Sequence, residues 1–276
     1  MNALVSPAPL PTAARTLVVI PTYNERDNLP RLLPEVLAVD PSLDVLIVDD
    51  ASPDGTGDIA DGIALDDARI RVLHREGKLG LGTAYLAGFA DALVRGYARV
   101  VEMDADFSHR PADLPRLLEA TAGADAAHVA IGSRLIPGGQ VVGWSALRHT
   151  VSKGGSLLAR LVLGLPVRDC TSGFKCFRRE ALEMLDLASL RSNGFAFQVE
   201  VNYACTYAGL QLVEVPITFR DRTQGASKMS WHIVAEAIWI LLALRLTGRP
   251  DFQTRGSGGP RPAPELVPSV DAGTLP

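Results

Sequence analysis

The sequence has little cysteine and no strong excess of charge. Three cysteines occur among 276 residues, Cys170, Cys176 and Cys205, and none forms a CxxC pair. This odd set argues against a disulfide framework or a zinc site and fits a reducing compartment. The net charge of −4 gives no indication of a nucleic-acid partner. A chain of this length can form one large α/β domain with appendages.

Both ends of the chain lack the patterns of folded or targeting segments. Residues 1–14 are rich in Ala and Pro but have no basic region followed by an apolar run, so we expect no secretory signal. Residues 249–276 are rich in Pro and Gly and show no hydrophobic periodicity. We therefore expect disordered tails at 1–14 and 249–276, a globular domain over 15–230, and an apolar helix over 231–248.

A long hydrophobic run is also missing. The most apolar segment, Trp231–Leu246, has 16 residues. As a helix it spans about 24 Å, which is short of the roughly 20 residues that a membrane-spanning helix needs. Two interpretations stay open. The segment is either an interfacial helix with Trp231 and Trp239 at the level of the lipid headgroups, or a buried or oligomer-contact helix.

Short apolar runs alternate with helical segments along the first half of the chain. They predict strands at 16–20, 45–48, 69–73, from Val100 onward, and at 127–131. This alternation predicts an α/β fold with a mostly parallel, doubly wound sheet flanked by helices. In such folds, ligands bind outside the carboxyl ends of the strands.

Polar clusters follow four of the predicted strands, at 21–25, 49–54, 104–106 and 133–134. Asp104 and Asp106 are two residues apart, so they point to the same side of an extended chain. Two such carboxylates can bind Mg²⁺ or Mn²⁺, which usually takes further ligands from phosphate. Taken alone, they could equally be a solvated strand end with two turn-forming residues. Their coincidence with the other clusters favours a site for a diphosphate substrate.

The Gly80-Leu81-Gly82 segment is a weak match to a dinucleotide-binding turn. It follows the third strand rather than the first, and Tyr85 stands where that pattern requires a small residue. We expect it to form a tight turn into a helix that ends near Arg95.

Together these residues resemble glycosyltransferase family 2, which has the nucleotide-sugar-binding GT-A fold. More narrowly, they resemble its branch of dolichol- or polyprenol-monophosphate mannose synthases, over roughly residues 16–246. The motifs that carry the resemblance are Val19-Ile20-Pro21-Thr22-Tyr23-Asn24-Glu25, Val48-Asp49-Asp50-Ala51-Ser52-Pro53-Asp54-Gly55-Thr56, Asp104-Ala105-Asp106, Gly132-Ser133-Arg134, Trp144 with Arg148, and Asp221-Arg222 with Ser227-Lys228.

The resemblance implies transfer of mannose from GDP-mannose to a polyprenyl (dolichyl) phosphate, with inversion and with Mg²⁺ or Mn²⁺ as cofactor. Two alternatives stay open: a UDP-sugar donor such as UDP-glucose with the same lipid acceptor, or a non-catalytic lipid-phosphate-binding subunit. The resemblance further implies a cytoplasmic enzyme bound peripherally to the cytosolic face of a membrane. A separate membrane-anchoring protein is a possible partner, and a nucleic acid is not expected.

The resemblance also implies roles for individual residues. The donor would contact Pro21, Tyr23, Glu25, Val48, Asp50, Asp104, Ala105, Asp106, Arg134, Arg222 and Lys228. The catalytic residues would be Asp104, Asp106 and Arg134, and the metal ligands Asp104, Asp106 and Ser108. Arg148 and Ser152 would bind the acceptor phosphate.

The chain departs from the family pattern in two places. Relatives often have Gln where this chain has Ser108, and the shorter reach of serine leaves a third protein ligand of the metal open. Some relatives carry transmembrane helices after the catalytic domain, and we expect none that is long enough here. No catalytic base is needed, since the second pKa of a phosphate monoester lies near 6 and the acceptor oxygen is already anionic. Each arginine taken singly could be a solvated surface charge.

Overall fold

The computed structural model describes residues 15–190, 192, 194–221, 241–242 and 244–246 of the protein. Both predicted tails, most of the helix expected over 231–248, and the candidate residues Arg222 and Lys228 lie outside these ranges. The boundaries expected for those segments therefore stay predictions.

Strands and helices alternate through most of the described chain. In order they are β1 (Thr16–Thr22), α1 (Leu29–Leu37), β2 (Leu43–Asp49), α2 (Thr56–Asp66), β3 (Ile70–His74), α3 (Leu81–Arg95), β4 (Arg99–Glu102), α4 (Leu114–Ala120), β5 (Val129–Ser133), β6 (Gln140–Val142), α5 (Ala146–Leu163), β7 (Lys175–Arg178), α6 (Arg179–Met184), α7 (Gly194–Tyr207), β8 (Leu212–Pro216) and β9 (Thr218–Arg220). Short 3₁₀ turns lie at Pro111–Asp113 and Leu187–Ser189.

Seven strands form one sheet in the order β3-β2-β1-β4-β7-β5-β8. All neighbouring pairs are parallel except those of β7, which runs antiparallel to both β4 and β5. The predicted α/β fold with a mostly parallel sheet is therefore confirmed. Strands β6 and β9 pair parallel to each other in a separate small sheet. Neither β7 nor this small sheet was predicted from the sequence.

The central strands are buried on both faces, as their uniformly apolar sequences require. In β1, Leu17 and Val19 belong to one apolar cluster, while Val18 and Ile20 belong to the other. This division follows the two-residue period of a strand, which sends successive side chains to opposite faces of the sheet. The sheet thus separates two cores, each covered by helices.

The strand order places a binding crevice beside β1. The chain winds outward from β1 through β2 to β3 and then crosses back to pair β4 with the other side of β1. The carboxyl ends of β1 and β4 therefore lie on either side of a topological switch point, where open α/β sheets bind ligands.

Within the described residues, no helix is long and apolar enough to cross a membrane. Only five residues of the helix expected over 231–248 are described. Of these, Leu241 is buried in the same apolar cluster as Leu17 and Val19, whereas Leu242 and Leu246 are exposed. At Leu241, the segment contributes to the core.

Candidate active site

Three loops meet at the switch point, and each contains a non-glycine residue with positive φ. Asn24 follows β1 with φ 63°, Ala51 follows β2 with φ 53°, and Phe107 follows β4 with φ 60°. This left-handed conformation is unfavourable for L-residues and persists where the surrounding contacts impose it. The three loops are therefore held in defined shapes by their neighbours.

Hydrogen bonds join the first two loops to each other. The backbone N–H of Asn24 donates to Ser52 Oγ at 3.1 Å, and that of Glu25 donates to Thr56 Oγ1 at 2.9 Å. Asp54 Oδ1 in turn accepts from the N–H and the hydroxyl of Thr56, at 3.0 and 2.6 Å. The polar side chains of the Ser-Pro-Asp-Gly-Thr segment thus support the loop after β1, where the donor residues are expected.

The expected donor residues of these loops differ in their access to solvent. Tyr23 is exposed, and Lys78 Nζ lies 3.8 Å from the centroid of its ring. Glu25 is half-buried, and its Oε2 accepts from Asn28 Nδ2 at 2.6 Å. Pro21 is half-buried, whereas Val48 has no exposed surface and packs in the core beneath the site. A contact of Val48 with a nucleoside stays a prediction.

Asp50 holds the loop that leads into α3. Its Oδ2 accepts from the N–H groups of Leu79 and Gly80, at 3.1 and 3.0 Å. Its Oδ1 lies 2.8 Å from a guanidinium nitrogen of Arg75. Gly80 has a φ of 103° directly before the helix, in agreement with the expected tight turn. Asp50 therefore orders the loop that carries Lys78 as well as bordering the crevice.

Asp104 of the DxD sequence is oriented by two residues, Tyr85 and His109, that were not predicted as site residues. Tyr85 Oη donates to Asp104 Oδ1 at 3.1 Å, and the N–H of Asp104 donates to His109 Nδ1 at 3.1 Å. Burial, together with the charge of Asp104, raises the pKa of Tyr85 well above its usual value. Tyr85 therefore stays protonated and keeps its role as a donor to the carboxylate.

His109 is buried behind the DxD loop. Its ring stacks on Phe174, with centroids 4.9 Å apart, and meets the edge of Phe219 at 5.7 Å. Burial lowers the pKa of His109. The neutral ring therefore presents an unprotonated Nδ1 to the Asp104 N–H. The only signal in the sequence was a histidine three residues after the DxD, where the turn could bring it back to the loop.

The residues of the DxD loop fit a hard divalent cation that is bound together with phosphate. Asp106 Oδ1 accepts from the N–H of Ser108 at 3.0 Å, and Ser108 Oγ is buried with no hydrogen-bond partner in the described part of the chain. In that same part, no group of three or more His, Cys, Asp and Glu could hold a metal by itself. Two carboxylates with one hydroxyl leave room for diphosphate oxygens, the ligands that Mg²⁺ prefers.

Arg134 lies at the end of β5 in a buried ion pair. Its Nε and one terminal nitrogen donate to the two carboxylate oxygens of Asp169, at 2.7 and 2.6 Å. The terminal nitrogen also donates to Thr171 Oγ1 at 2.9 Å. Such a bidentate pair fixes the plane of the guanidinium. Asp169 was not recognised from the sequence because its loop carries no pattern that points back to β5.

Arg134 and Arg148 share one indole ring. The guanidinium carbons of Arg134 and Arg148 lie 5.3 and 4.4 Å from the ring centroid of Trp144. Arg148, in the first turn of α5, also pairs with Asp221 Oδ1 at 2.6 Å. Ser152 lies four residues further along α5, so the two residues share one side of that helix. The structure thus brings together Arg134, which is expected to bind the donor phosphates, and Arg148, which is expected to bind the acceptor phosphate.

Strand β9 joins this arginine cluster to the DxD loop. Phe219 lies 5.2 Å from the guanidinium of Arg134 and meets the edge of Trp144 at 5.3 Å, besides its contact with His109. The N–H of Arg220 donates to the carbonyl oxygen of Ser108 at 3.2 Å. The groups expected to bind metal and the arginines expected to bind phosphate therefore belong to one connected site.

A buried ionisable pair lies directly before the DxD loop. Glu102 and Lys175 are both fully buried, with Lys175 Nζ 3.8 Å from Glu102 Oε2. Lys175 also donates to Gln198 Oε1. Burial raises the pKa of Glu102 to about 7 and lowers that of Lys175. Nothing in the sequence distinguished this lysine from a surface one.

Comparison with protein families gives a match over residues 17–185 to the family described as Glycosyl transferase family 2. Among curated relatives, a polyprenol monophosphomannose synthase of Mycolicibacterium smegmatis is 48% identical over 89% of this chain and 92% of that protein. An undecaprenyl-phosphate mannosyltransferase of Micrococcus luteus is 50% identical over 81% of this chain and 91% of that protein.

Solved structures with the same fold are more distant in sequence. A glucosyl-3-phosphoglycerate synthase from Mycobacterium tuberculosis, in complex with phosphoglyceric acid, is 18% identical with a TM-score of 0.62, covering 88% of this chain and 84% of that one. A mannosyltransferase from Pyrobaculum calidifontis, in complex with GDP-Man and Mn²⁺, is 17% identical with a TM-score of 0.53, covering 88% and 67%. At these identities the likeness shows the fold alone.

Proposed function

The chain belongs to glycosyl transferase family 2, and we propose that it transfers mannose from GDP-mannose to the phosphate of a polyprenol. The names of two relatives near 50% identity support mannose as the sugar and a polyprenyl phosphate as the acceptor. The observation that carries the proposal is the shared contact of Arg134 and Arg148 with Trp144, next to the DxD loop. Two anionic substrates that must approach each other need such a concentration of positive charge.

The acceptor phosphate is the nucleophile in this reaction. Its oxygen attacks the anomeric carbon of mannose, the bond from that carbon to the donor diphosphate breaks, and GDP leaves with the electron pair. A phosphate monoester is already largely dianionic at neutral pH because its second pKa lies near 6. The chain therefore needs no general base. Direct attack inverts the anomeric centre.

The side chains of the site have electrostatic and positioning roles. Arg134 and Arg148 reduce the repulsion between the acceptor phosphate and the donor diphosphate, and Asp169 and Asp221 hold the two guanidinium groups in place. Ser152, on the same side of α5 as Arg148, would add a hydroxyl for the acceptor phosphate. Arg222 and Lys228, which lie outside the described residues, are proposed to contact the donor phosphates.

Asp104 and Asp106 would hold Mg²⁺ or Mn²⁺, with Ser108 as the third protein ligand. Such a cation, when bound, would neutralise charge that develops on the departing diphosphate. Tyr85 and His109 act before substrate arrives, because their hydrogen bonds set the position of Asp104. The buried positions of both residues keep that arrangement in place when the crevice is open to water.

The most specific part of the proposal is the nucleotide of the sugar donor, GDP rather than UDP. Pro21 at the end of β1, together with Tyr23, Glu25 and Asp50 in the loops after β1 and β2, would receive the guanine nucleoside. UDP-glucose with the same acceptor is the alternative donor. Competition between the two nucleotides for the site separates them, since the correct nucleoside diphosphate should displace the labelled donor at the lower concentration.

The test is a transfer assay with radiolabelled GDP-mannose and defined polyprenyl phosphates. We expect label in the organic-extractable lipid, loss of that label with EDTA, and recovery with added Mg²⁺ or Mn²⁺. UDP-glucose in the same assay should give no lipid product. Binding of GDP-mannose without any turnover would support a non-catalytic lipid-phosphate-binding subunit instead. Efficient glucosyl transfer would reassign the donor.

We also propose that the enzyme works at the cytosolic face of a membrane as a peripheral protein. The acceptor phosphate lies at the bilayer surface, so the site must face that surface without any need to cross it. A separate anchoring protein could assist. Fractionation of cells that express the full chain tests this, because release from membranes by high salt is expected for peripheral binding.

A further inference from the structure

The buried ion pair of Glu102 and Lys175 lies on the same side of the sheet as Asp104. Glu102 ends β4 and is paired in register with Lys175 on β7. Successive residues of β4 point to opposite faces, and Val100, two residues before Glu102, belongs to the apolar cluster that includes Tyr85. Asp104 follows Glu102 by the same two residues, and its Oδ1 accepts from Tyr85 Oη. The ion pair therefore lies beneath the DxD loop, on the side from which Tyr85 reaches Asp104.

Gln198 connects this ion pair to α7. Its side-chain Oε1 accepts a hydrogen bond from Lys175 Nζ, and the residue is almost fully buried. The ring of the preceding residue, Phe197, stacks on Tyr85 with centroids 6.1 Å apart. One helix thus contacts both the ion pair and the tyrosine that orients the DxD loop. We refer to Glu102, Lys175 and Gln198 as the Glu102 network.

A glycine in the loop before β7 leaves room for Gln198 beside the DxD loop. A Cβ atom at Gly173 would lie 3.3 Å from Gln198 Nε2 and 3.8 Å from His109 Cε1. Gly173 thus stands between Gln198 and the histidine that accepts a hydrogen bond from the Asp104 N–H. The Glu102 network therefore adjoins both residues that orient Asp104, through the ring of Phe197 on one side and through Gly173 on the other.

The Glu102 network is poorly suited to a purely stabilising role. Both carboxylate oxygens of Glu102 and the amide nitrogen of Gln198 have no hydrogen-bond partner within the described part of the chain. Lys175 Nζ and Glu102 Oε2 are 3.8 Å apart, which is too long for a hydrogen bond. Buried polar groups without partners lower stability, and apolar residues of similar volume in place of a buried ion pair are often neutral or stabilising. Stability alone therefore does not account for these three polar residues.

We propose that Lys175 and Gln198 are positioning residues for the DxD loop. Lys175 offsets the charge of Glu102, so that no second uncompensated carboxylate lies beneath Asp104. Gln198 links α7, which packs on Tyr85, to the strand that leads into the DxD loop. Asp104 is thereby held in one position relative to the sheet before a cation arrives. Both positioning residues are too deeply buried to touch a substrate.

This inference rests on the proposed metal-dependent reaction, because the position of Asp104 matters only if its carboxylate holds a cation. The competing explanation is that the Glu102 network only fixes the register of β7 between β4 and β5. The two explanations differ in what an apolar replacement of the network should do. If the network has a positioning role, folding survives the replacement and metal binding weakens. If it has only a register role, metal binding weakens only where folding fails.

The main test is a triple variant in which methionine, an unbranched side chain of similar length, replaces each member of the network: Glu102→Met, Lys175→Met and Gln198→Met. Its melting temperature, followed by circular dichroism, should equal or exceed that of the wild type. Its affinity for Mn²⁺ in the presence of GDP should fall by about 10–100-fold, the usual effect of removing a group that orients a metal ligand. Electron paramagnetic resonance of free Mn²⁺ measures that affinity without any turnover. A parallel titration with UDP makes the result independent of the donor nucleotide.

Two further variants are compared with this triple variant. Gln198→Met alone keeps the ion pair and should lower the Mn²⁺ affinity by about 10-fold, so the proposal is tested even if the triple variant does not fold. The matched control is Arg71→Met with Asp91→Leu. It removes another ion pair, between β3 and α3, whose nitrogen and oxygen are 2.6 Å apart and which lies near the amino end of β3, away from the crevice. The control should keep the Mn²⁺ affinity of the wild type.

The outcomes separate the positioning role from the proposed reaction. In the transfer assay, the triple variant should need about 10–100-fold more Mn²⁺ for half-maximal rate and should recover most of the wild-type rate at saturating metal. Wild-type Mn²⁺ affinity in a folded triple variant would overturn the positioning role and leave the reaction untouched. Loss of folding in the triple variant, together with normal Mn²⁺ affinity in Gln198→Met, would favour the register role and also overturn it. A wild type that binds no Mn²⁺ would contradict the metal site itself, and the positioning role with it.

Discussion

Replacement of Tyr85 by phenylalanine removes one hydrogen bond to Asp104 and little else. Tyr85 Oη lies 3.1 Å from Asp104 Oδ1, while its ring packs against Phe89 and Phe197 at centroid distances of 6.4 and 6.1 Å. Phenylalanine preserves those ring contacts. The Asp104 side chain is 27% exposed, so water can satisfy the oxygen that loses its partner. The variant should therefore fold normally but position Asp104 less well.

The expected effect is on the metal requirement. Removal of a group that orients a metal ligand typically costs 10–100-fold in metal affinity or activity, which corresponds to about 1.4–2.7 kcal/mol. A hydrogen bond to a charged group has a similar value, about 1.5–3 kcal/mol. We expect Tyr85→Phe to raise the Mn²⁺ concentration for half-maximal transfer by about 10–100-fold, with a smaller change in rate at saturating metal.

The measurement is a titration of EDTA-treated enzyme with Mn²⁺ in the radiolabelled transfer assay. Tyr97→Phe is the matched control, because Tyr97 is also a buried tyrosine that donates to a carboxylate, Asp44 Oδ2, at 2.9 Å. That pair lies at the amino ends of the strands, away from the crevice. The Tyr97→Phe control should have a lower free energy of unfolding than the wild type, but the same Mn²⁺ concentration for half-maximal transfer. A Tyr85→Phe titration curve that coincides with the wild type would refute the orienting role.

Three further predictions address the chemistry and the core. Asp104→Ala or Asp106→Ala should reduce transfer by at least about 10²-fold in the radiolabelled assay; full activity of both variants with metal chelated would contradict a metal site. The α-linked donor should give a β-linked product by NMR, and a retained α configuration would exclude direct attack. Lys175→Met should lower the free energy of unfolding in urea by about 3–5 kcal/mol, and adding Glu102→Gln should restore part of it. An unchanged single variant would mean that the pair has no structural role.

The sequence predicts the parallel part of the sheet because the signal there is local. The run Leu17–Ile20 is apolar throughout, and the structure buries every residue of it between two layers of helices. The antiparallel strand β7 has no such signal. Its sequence, Lys-Cys-Phe-Arg, begins and ends with a cation. It becomes a central strand only because β4 and β5 pair with it on either side, and because Glu102 and Gln198 meet the buried Lys175.

In the candidate site, too, only the features with a local sequence signal could be predicted. Asp104 and Asp106 could be predicted because their spacing and their position after a strand are local properties. The residues that orient these carboxylates and Arg134 could not be predicted. In the sequence, Tyr85 was noted only because it does not fit a dinucleotide-binding turn. In the structure, its hydroxyl donates to the carboxylate of Asp104, 19 residues further along the chain. Asp169 meets Arg134 across 35 residues. Such pairings depend on the arrangement of the sheet, which no short pattern encodes.

The position of β9 explains why the two halves of the site cannot be arranged independently. Phe219 contacts His109, which accepts a hydrogen bond from the N–H of Asp104. The same ring also contacts Arg134 and Trp144. A shift of this one ring would therefore displace both His109, which orients the proposed metal ligand Asp104, and the indole that contacts the two arginines. The proposed direct attack requires that the leaving group and the acceptor phosphate be aligned to within a fraction of an ångström. A shared aromatic contact maintains that alignment through packing that is already formed in the absence of substrate.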